Sequence, residues 1–158
     1  MKILIVKNPN GDTRTAPKGI TFEQFQEAND SHRLDVRNVM RAIADIIRDN
    51  GEAHDYTKKT HEKEFYRDFL ATMNDGADFV NGEWYQLHIH KERHHPLSYC
   101  QEDINLMDII EMVVDCAVAG LTRSGEVRPM EVNAEILQKA VNNTIQFISK
   151  MVEVVDNK

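Results

Sequence analysis

The stretch "DINLMDIIEMVVDCAVAGL", residues 103–121, decides the fold, because apolar side chains would cover almost every side of the helix that it predicts. The residues that give this coverage are Met107, Ile110, Val113, Val114 and Val118. Such a helix is expected in the centre of a fold. Asp115 lies in its middle, and a buried carboxylate must be protonated, paired with a cation or bound to a metal.

Helical patterns on both sides of this stretch predict a mostly all-α chain. "KILIV", residues 2–6, is a strand candidate, and the turn signal "NPNG" ends it. Thr21 and Gln24 fit a capping box for a short helix to about Asn29, and Asp30 or Ser31 would cap a longer helix to about Asn50. Further helices are expected over residues 61–73, 84–93 and 130–155.

Composition limits the domain count and the partners. With 158 residues and 41% hydrophobic content, the chain suits one domain. Its expected parts are a strand, loop and short helix over residues 1–29, a helical core over 30–121 and a packing helix over 130–155. The net charge is −7 and the basic residues are scattered, so we expect no duplex nucleic acid as partner. "MKILIVKNPNG" is too weakly apolar for a signal peptide or a membrane span, so we expect a cytoplasmic protein without a membrane partner.

Histidines are concentrated in one part of the chain. All seven lie between residues 32 and 95, and "HIHKERHHP", residues 88–96, holds four of them. We expect His32, the adjacent His54 and Asp55, and Asp115 to converge from three helices on one ion. Imidazole and carboxylate suit Zn, Fe, Mn or Co, and the absence of thiolates near them argues against a purely structural zinc site.

This order of residues resembles the HD superfamily of metal-dependent phosphohydrolases, which implies an HD-type helical bundle. In its two-metal branch a lysine follows the His-Asp pair, as Lys58 does here, and extra histidines hold a second ion, as His88, His94 and His95 would. A closer likeness is to a small phage and bacterial family of unknown function with the pattern "H..V", "HD.SK....EF", "W..H.....HH" and "EM..D". This chain reads "HRLDV", "HDYTKKTHEKEF", "WYQLHIHKERHHP" and "EMVVD" between residues 32 and 115, with Thr57 in place of the Ser.

The resemblance implies hydrolysis of a phosphate ester or anhydride in a small anionic, nucleotide-like molecule. One or two divalent ions, Mn, Fe, Co or Zn with Mg also open, would activate water. Asp55 would bridge the ions, Lys58 would stabilise phosphoryl charge, and Glu111 would orient a ligand imidazole. The further expected substrate contacts are Arg14, Lys18, Lys91 and Arg93. A phage-encoded protein would act in the host cytoplasm, and pairing through helices, frequent in HD enzymes, leaves a homo-oligomer open.

Other interpretations stay open at this point. Asp115 can form a buried salt bridge, Lys58 can be a solvated lysine, and the histidines near residue 90 can form a solvated helix end that binds phosphate when protonated. His61 and His90 are expected at the surface. A di-iron HD oxygenase would use the same ligands, and a non-catalytic protein could bind or sequester a nucleotide.

Overall fold

The computed structural model describes residues 2–156, and it is mostly helical, as the sequence predicts. Its elements are β1 (Ile3–Lys7), a 3-10 turn (Pro9–Gly11), α1 (Phe22–Ala53), α2 (Tyr56–Thr60), α3 (Glu62–Asp75), α4 (Glu83–Lys91), α5 (Leu106–Ser124), α6 (Ala134–Met151) and β2 (Val152–Asp156). Within residues 2–156, none of these helices combines the length and the apolar character needed to cross a lipid bilayer.

The chain divides into two compact units. The first contains the described part of residues 1–46 and 144–158, and the second is Ile47–Asn143. In the first unit, β1 pairs in parallel with β2, with Ile3 opposite Val152 and Val6 opposite Val155. The predicted end of the last helix, at residue 155, is wrong, because α6 ends at Met151. Branched valines favour extended backbone, and here β1 supplies them with a pairing partner.

The long helix α1 begins where the sequence predicts. Thr21 Oγ1 accepts from the Gln24 backbone N at 3.3 Å, and Gln24 Oε1 accepts from the Thr21 backbone N at 3.0 Å, which is a capping box. The predicted break at Asn29 is wrong. Its side chain donates to the Phe25 carbonyl at 2.8 Å, one turn back, and the helix continues to Ala53. No glycine or proline lies nearby to stop it.

In the second unit, one face of α5 packs into a buried apolar cluster. The cluster contains Ile104, Ile109, Met112 and Ala140. Asn105 and Asp108 form a capping box at the start of α5, and Gly125, with a φ of 78°, ends it. The opposite face is open, since Val114 is 55% exposed and Val118 is 50% exposed. The expectation of a helix buried all round is therefore wrong, and apolar side chains are left facing a pocket.

Helix α4 is fixed by an aromatic stack. The Trp84 ring lies between Phe65 of α3 and His88, with centroid distances of 4.0 Å and 4.7 Å. Asp68 Oδ2 accepts from the Trp84 backbone N at 3.0 Å. Trp84 is 3% exposed and therefore packs in the core. This packing sets the position of His88, one turn after Trp84.

Candidate metal centre

The backbone turns sharply at Asp55, between α1 and α2. Its φ is 57°, which places it in the left-handed region that few residues other than glycine adopt and that Asp tolerates. The turn brings two adjacent side chains together, with His54 Nε2 3.4 Å from Asp55 Oδ2. Adjacent side chains diverge along a regular helix. The non-helical conformation of Asp55 therefore allows both to face one site.

The first donor group contains Asp55, His88, His94 and His95, and their ligand atoms all lie within 4.8 Å of one another. Asp55 Oδ1 is 3.5 Å from His88 Nε2 and 3.6 Å from His94 Nε2. The Nε2 atoms of His88 and His95 are 2.8 Å apart. Helix α4 contributes His88, and the segment that follows it contributes the other two histidines.

The second donor group contains His54, His94 and Asp115, again within 4.8 Å. His54 Nε2 is 3.4 Å from Asp115 Oδ1, and the rings of His54 and His94 have centroids 4.4 Å apart. His94 belongs to both groups, so the two candidate ion positions are neighbours. Asp115, at 30% side-chain exposure, is less buried than the sequence predicts.

Two of the imidazoles in the donor groups form a hydrogen bond through Nδ1. Glu111 Oε1 lies 3.0 Å from His54 Nδ1 and forms a hydrogen bond with it. The same oxygen is 2.9 Å from His94 Nδ1, but this contact is an ion pair without hydrogen-bond geometry, and His94 Nδ1 has no hydrogen-bond partner among residues 2–156. Thr57 Oγ1 lies 2.6 Å from His88 Nδ1. An acceptor at Nδ1 favours the tautomer in which Nε2 carries a free lone pair. The Nε2 atoms of His54 and His88 therefore present lone pairs to the region around Asp55.

Sequence reasoning missed two residues that support His88. The Thr57 hydroxyl donates to Glu92 Oε1 at 2.7 Å, and the Thr57 backbone N donates to the same oxygen at 2.8 Å. Both side chains are buried. The only available signal was the hydroxyl residue two positions after Asp55, where the pattern in "HD.SK" has a serine. No local signal pointed to Glu92.

Burial and neighbouring charges shift the pKa values in the centre. Burial lowers the pKa of His88 to about 3, and burial and the nearby His94 lower the pKa of His95 to about 4. Both rings are therefore neutral at neutral pH, the form that binds metal. Burial disfavours the charged form of His94, but contacts with the carboxylates of Asp55 and Glu111 outweigh it and raise its pKa to about 9.

Burial also raises the pKa of the Asp55 carboxyl, but His94 and Lys58 outweigh this effect and hold the pKa well below its usual range. Asp55 Oδ1 and His94 Nε2 are buried and, among residues 2–156, have no hydrogen-bond partner. They are 3.6 Å apart, which is too far for a hydrogen bond. Buried polar atoms are rarely left unsatisfied, and one ion between them would satisfy both. The donor set therefore fits a divalent transition metal.

His32 is an exposed residue of α1 in the first unit, and neither donor group includes it. The sequence predicts that His54 and Asp55 lie at the end of the helix that carries His32, or in the turn after it, about six helical turns further along the chain. Residues Phe22–Ala53 do form one uninterrupted helix, and its length separates His32 along the chain from the donors at its end. The predicted ligand set is therefore assembled without His32.

Two of the predicted substrate contacts, Arg93 and Lys58, form ion pairs within the protein. Arg93 donates from Nε and from a terminal nitrogen to the two carboxylate oxygens of buried Asp108, each at 2.8 Å, and it also pairs with Asp103. These carboxylates hold the pKa of Arg93 above its usual range. Arg93 is therefore engaged in ion pairs with Asp108 and Asp103, and its contact with substrate stays a prediction. Lys58 forms an ion pair with Asp55, beside the donor groups.

The remaining predicted cations are exposed. Lys91 lies at the end of α4 and lines a small pocket with Glu111. Arg14 pairs with Asp12 in the first unit, which also contains Lys18. His61 and His90, predicted at the surface, contact Thr60 Oγ1 at 3.0 Å and the Gln86 carbonyl at 2.7 Å respectively. None of these residues belongs to either donor group.

Two pockets in the second unit open next to the donor groups. The apolar pocket, of about 230 Å³, has His54, Glu111 and Asp115 at its wall, and its apolar lining is Ile47, Met107, Ile110, Val114 and Val118. The arginine pocket, of about 280 Å³, is lined by His94, His95 and Asp115 together with Arg123 and Arg128. Asp115 lines both pockets, which therefore adjoin the same donors.

The fold and these donor groups define a mostly helical protein with a candidate site for divalent metal ions. The chain belongs to a family of unknown function (DUF5662), whose model matches residues 21–155. Neither the curated proteins nor the solved structures include a match. The family description assigns no activity, so the likeness to the HD superfamily stays a prediction.

Proposed function

We propose that this protein is a metal-dependent phosphohydrolase that acts on a phosphate ester or anhydride of a nucleotide-like molecule. The observation that supports it is the pair of donor groups that share His94, in which buried Nε2 atoms face the unpartnered oxygen of Asp55. Two adjacent cations are suited to phosphoryl transfer because they stabilise both the attacking and the leaving oxygen.

The residues that would hold the ions are those of the two donor groups. A divalent metal bound there would supply a Lewis acid, which lowers the pKa of a bound water molecule toward neutrality. Glu111 and Thr57 keep the imidazoles of His54 and His88 oriented by accepting hydrogen bonds from their Nδ1 atoms. Lys58 has a partly exposed ammonium group that pairs with Asp55. Once cations neutralise Asp55, this ammonium can turn toward phosphoryl oxygens and stabilise their charge.

The test combines elemental analysis with a hydrolysis screen. The purified chain is expected to carry one or two equivalents of a transition metal, and to hydrolyse nucleotides when loaded with Mn, Mg, Fe, Co or Zn. Asp55→Asn should lower metal affinity and turnover by at least about tenfold, because Asp55 contacts both groups. Asp75→Asn, a change of an exposed carboxylate at the end of α3, is the matched control and should alter neither.

Retention of metal and turnover by Asp55→Asn would contradict the assignment of the site. Tight nucleotide binding without turnover, with every one of these ions, would contradict the hydrolase and favour a binding protein. The two readouts separate the presence of the metal from the chemistry that it supports.

The apolar pocket favours a second candidate, a di-iron oxygenase. Its walls near His54 and Asp115 contain five apolar side chains and no lysine or arginine. Such a lining suits an apolar substrate group next to the metal ligands. Iron-dependent oxygen consumption that is lost in Asp55→Asn would support this candidate. Turnover of phosphate esters with zinc or magnesium, which do not activate oxygen, would exclude it.

A further inference from the structure

We propose that Arg123 and Arg128 form an anion subsite that binds the phosphate of the substrate next to the metal centre. This inference rests on the proposed function and extends it to substrate recognition. Both arginines line the arginine pocket, whose other polar wall is His94, His95 and Asp115. One pocket thus places guanidinium groups and metal donors around the same space of about 280 Å³.

These two guanidinium groups are available for a ligand. Within residues 2–156, neither Arg123 nor Arg128 forms an ion pair, although the chain is acidic and carries 26 Asp and Glu residues. Arg93 and Arg67, by contrast, are engaged by carboxylates. Arginine presents a planar fork of donors that matches phosphate oxygens, so an unpaired set beside a metal centre suits a phosphate.

The backbone of this segment is built to bring Arg128 back toward α5. Gly125, with a φ of 78°, reverses the chain after α5. The returning segment lies so close to Gly120 that a Cβ there would be 2.5 Å from the Glu126 carbonyl oxygen and 3.1 Å from the Arg128 backbone N. Only glycine permits this approach. Arg128 is therefore held beside the end of the helix that also carries Arg123 and Asp115.

The two pockets together indicate the class of substrate. Asp115 lines both, but the cations are confined to the arginine pocket and the apolar side chains dominate the other. A molecule with a phosphate at one end and an apolar group at the other would match this distribution across the metal donors. The phosphate would lie against Arg123 and Arg128, and the apolar group against Ile110 and Val114.

The experiment measures binding of inorganic phosphate to the full chain by calorimetry at low ionic strength, with and without saturating Mn²⁺. The double variant Arg123→Gln with Arg128→Gln should bind phosphate about tenfold more weakly in the Mn²⁺-loaded state, since two charged hydrogen-bonding groups are lost. Arg123→Lys with Arg128→Lys keeps the charge and should recover part of the affinity. Arg37→Gln with Arg41→Gln removes two exposed arginines of α1 and is the matched control, expected to bind as the parent does.

Equal phosphate affinity in the parent and in the double glutamine variant would overturn the subsite, and so would a parent that does not bind phosphate. Neither result would contradict the proposed function, because metal content and nucleotide turnover test that function separately. If metal binding fails but phosphate still binds without Mn²⁺ and depends on the two arginines, the subsite stands and the proposed function does not. Thermal unfolding of each variant verifies that the exposed substitutions leave the fold intact.

Discussion

At the scale of single residues, one hydroxyl hydrogen sets the chemistry of His88. Thr57 is fully buried, and its hydroxyl carries a single hydrogen. The Glu92 carboxylate, 2.7 Å away, can only accept, so that hydrogen is directed to it. Thr57 Oγ1 must then accept from His88 Nδ1, 2.6 Å away. The proton is therefore fixed on Nδ1 of His88, and Nε2 is left free as a metal donor.

Replacing the hydroxyl tests this chain of hydrogen bonds. Thr57→Val has a similar shape but leaves His88 Nδ1 without its acceptor, so we expect metal affinity to fall by about tenfold. The free energy of unfolding should also fall, by about 1–3 kcal/mol, because buried polar groups lose a partner. Competition with a chromogenic chelator and chemical denaturation measure the two effects.

Thr57→Ser keeps the hydroxyl and is the matched control for this change. It should retain most of the metal affinity, with only the loss expected from one buried methyl group. Metal affinity that is unchanged in Thr57→Val would show that the hydroxyl does not orient His88. Equal losses in both variants would point to packing instead of hydrogen bonding.

Sequence reasoning identified the metal-donor residues of the candidate site better than the residues that hydrogen-bond to them and hold them in place. His54, Asp55 and Asp115 were recognisable because a motif orders them along the chain. His94 and His95 were recognisable because they are adjacent. The Thr57–Glu92 pair was not, since 35 residues separate two common polar residues and only the fold brings them together. The ion pair of Arg93 was missed for the same reason, because its partner Asp108 is 15 residues away.

At the scale of elements, local sequence signals predicted where α1 begins. They failed where contacts with segments distant along the chain determine the structure. The capping box of Thr21 and Gln24 predicted the start of α1 because its hydrogen bonds lie within three residues. The strand β2 was missed because valines after α6 become a strand only when β1 pairs with them. The open face of α5 was missed because an apolar pattern does not reveal how many faces of the helix pack against other segments.

Two glycine-to-alanine changes in helices should have opposite effects on stability. Gly120→Ala forces a Cβ against the Glu126 carbonyl at 2.5 Å, so the free energy of unfolding should fall by about 1–3 kcal/mol. Gly51→Ala, in α1, meets no atom within 4 Å and should raise it by up to about 1 kcal/mol, since alanine favours the helix. Denaturant titration of both variants measures the difference.

The change at Gly120 also has a functional readout. Because it displaces residues 126–128, phosphate affinity should fall while metal content stays at the parent level. Gly51→Ala should leave phosphate affinity unchanged. If Gly120→Ala were as stable as the parent, the close approach of the two segments would be wrong. If it lost metal as well, the effect would not be confined to the arginine pocket.

At the scale of the whole molecule, the chemistry is concentrated in one of the two compact units. Every member of the two donor groups lies in Ile47–Asn143: in the turn between α1 and α2, on α4, in the segment that follows α4, and on α5. Ligands that bind only the folded state stabilise it by mass action. The elements that contribute donors should therefore gain the most stability against local unfolding from an added ion, because the ion cross-links segments that are distant along the chain.

Hydrogen exchange on the full chain tests this expectation. With free Mn²⁺ at 100 times its dissociation constant, the linkage amounts to about 2.7 kcal/mol. Amide protection should rise most in residues 54–60, 88–95 and 107–118, which contain the donors or contact them. The strands β1 and β2, which carry no donor, serve as the internal reference. Asp55→Asn should abolish the effect of Mn²⁺ in all three segments. Equal added protection in Asp55→Asn and the parent would mean that the ion binds elsewhere, and the candidate metal centre would then be wrong.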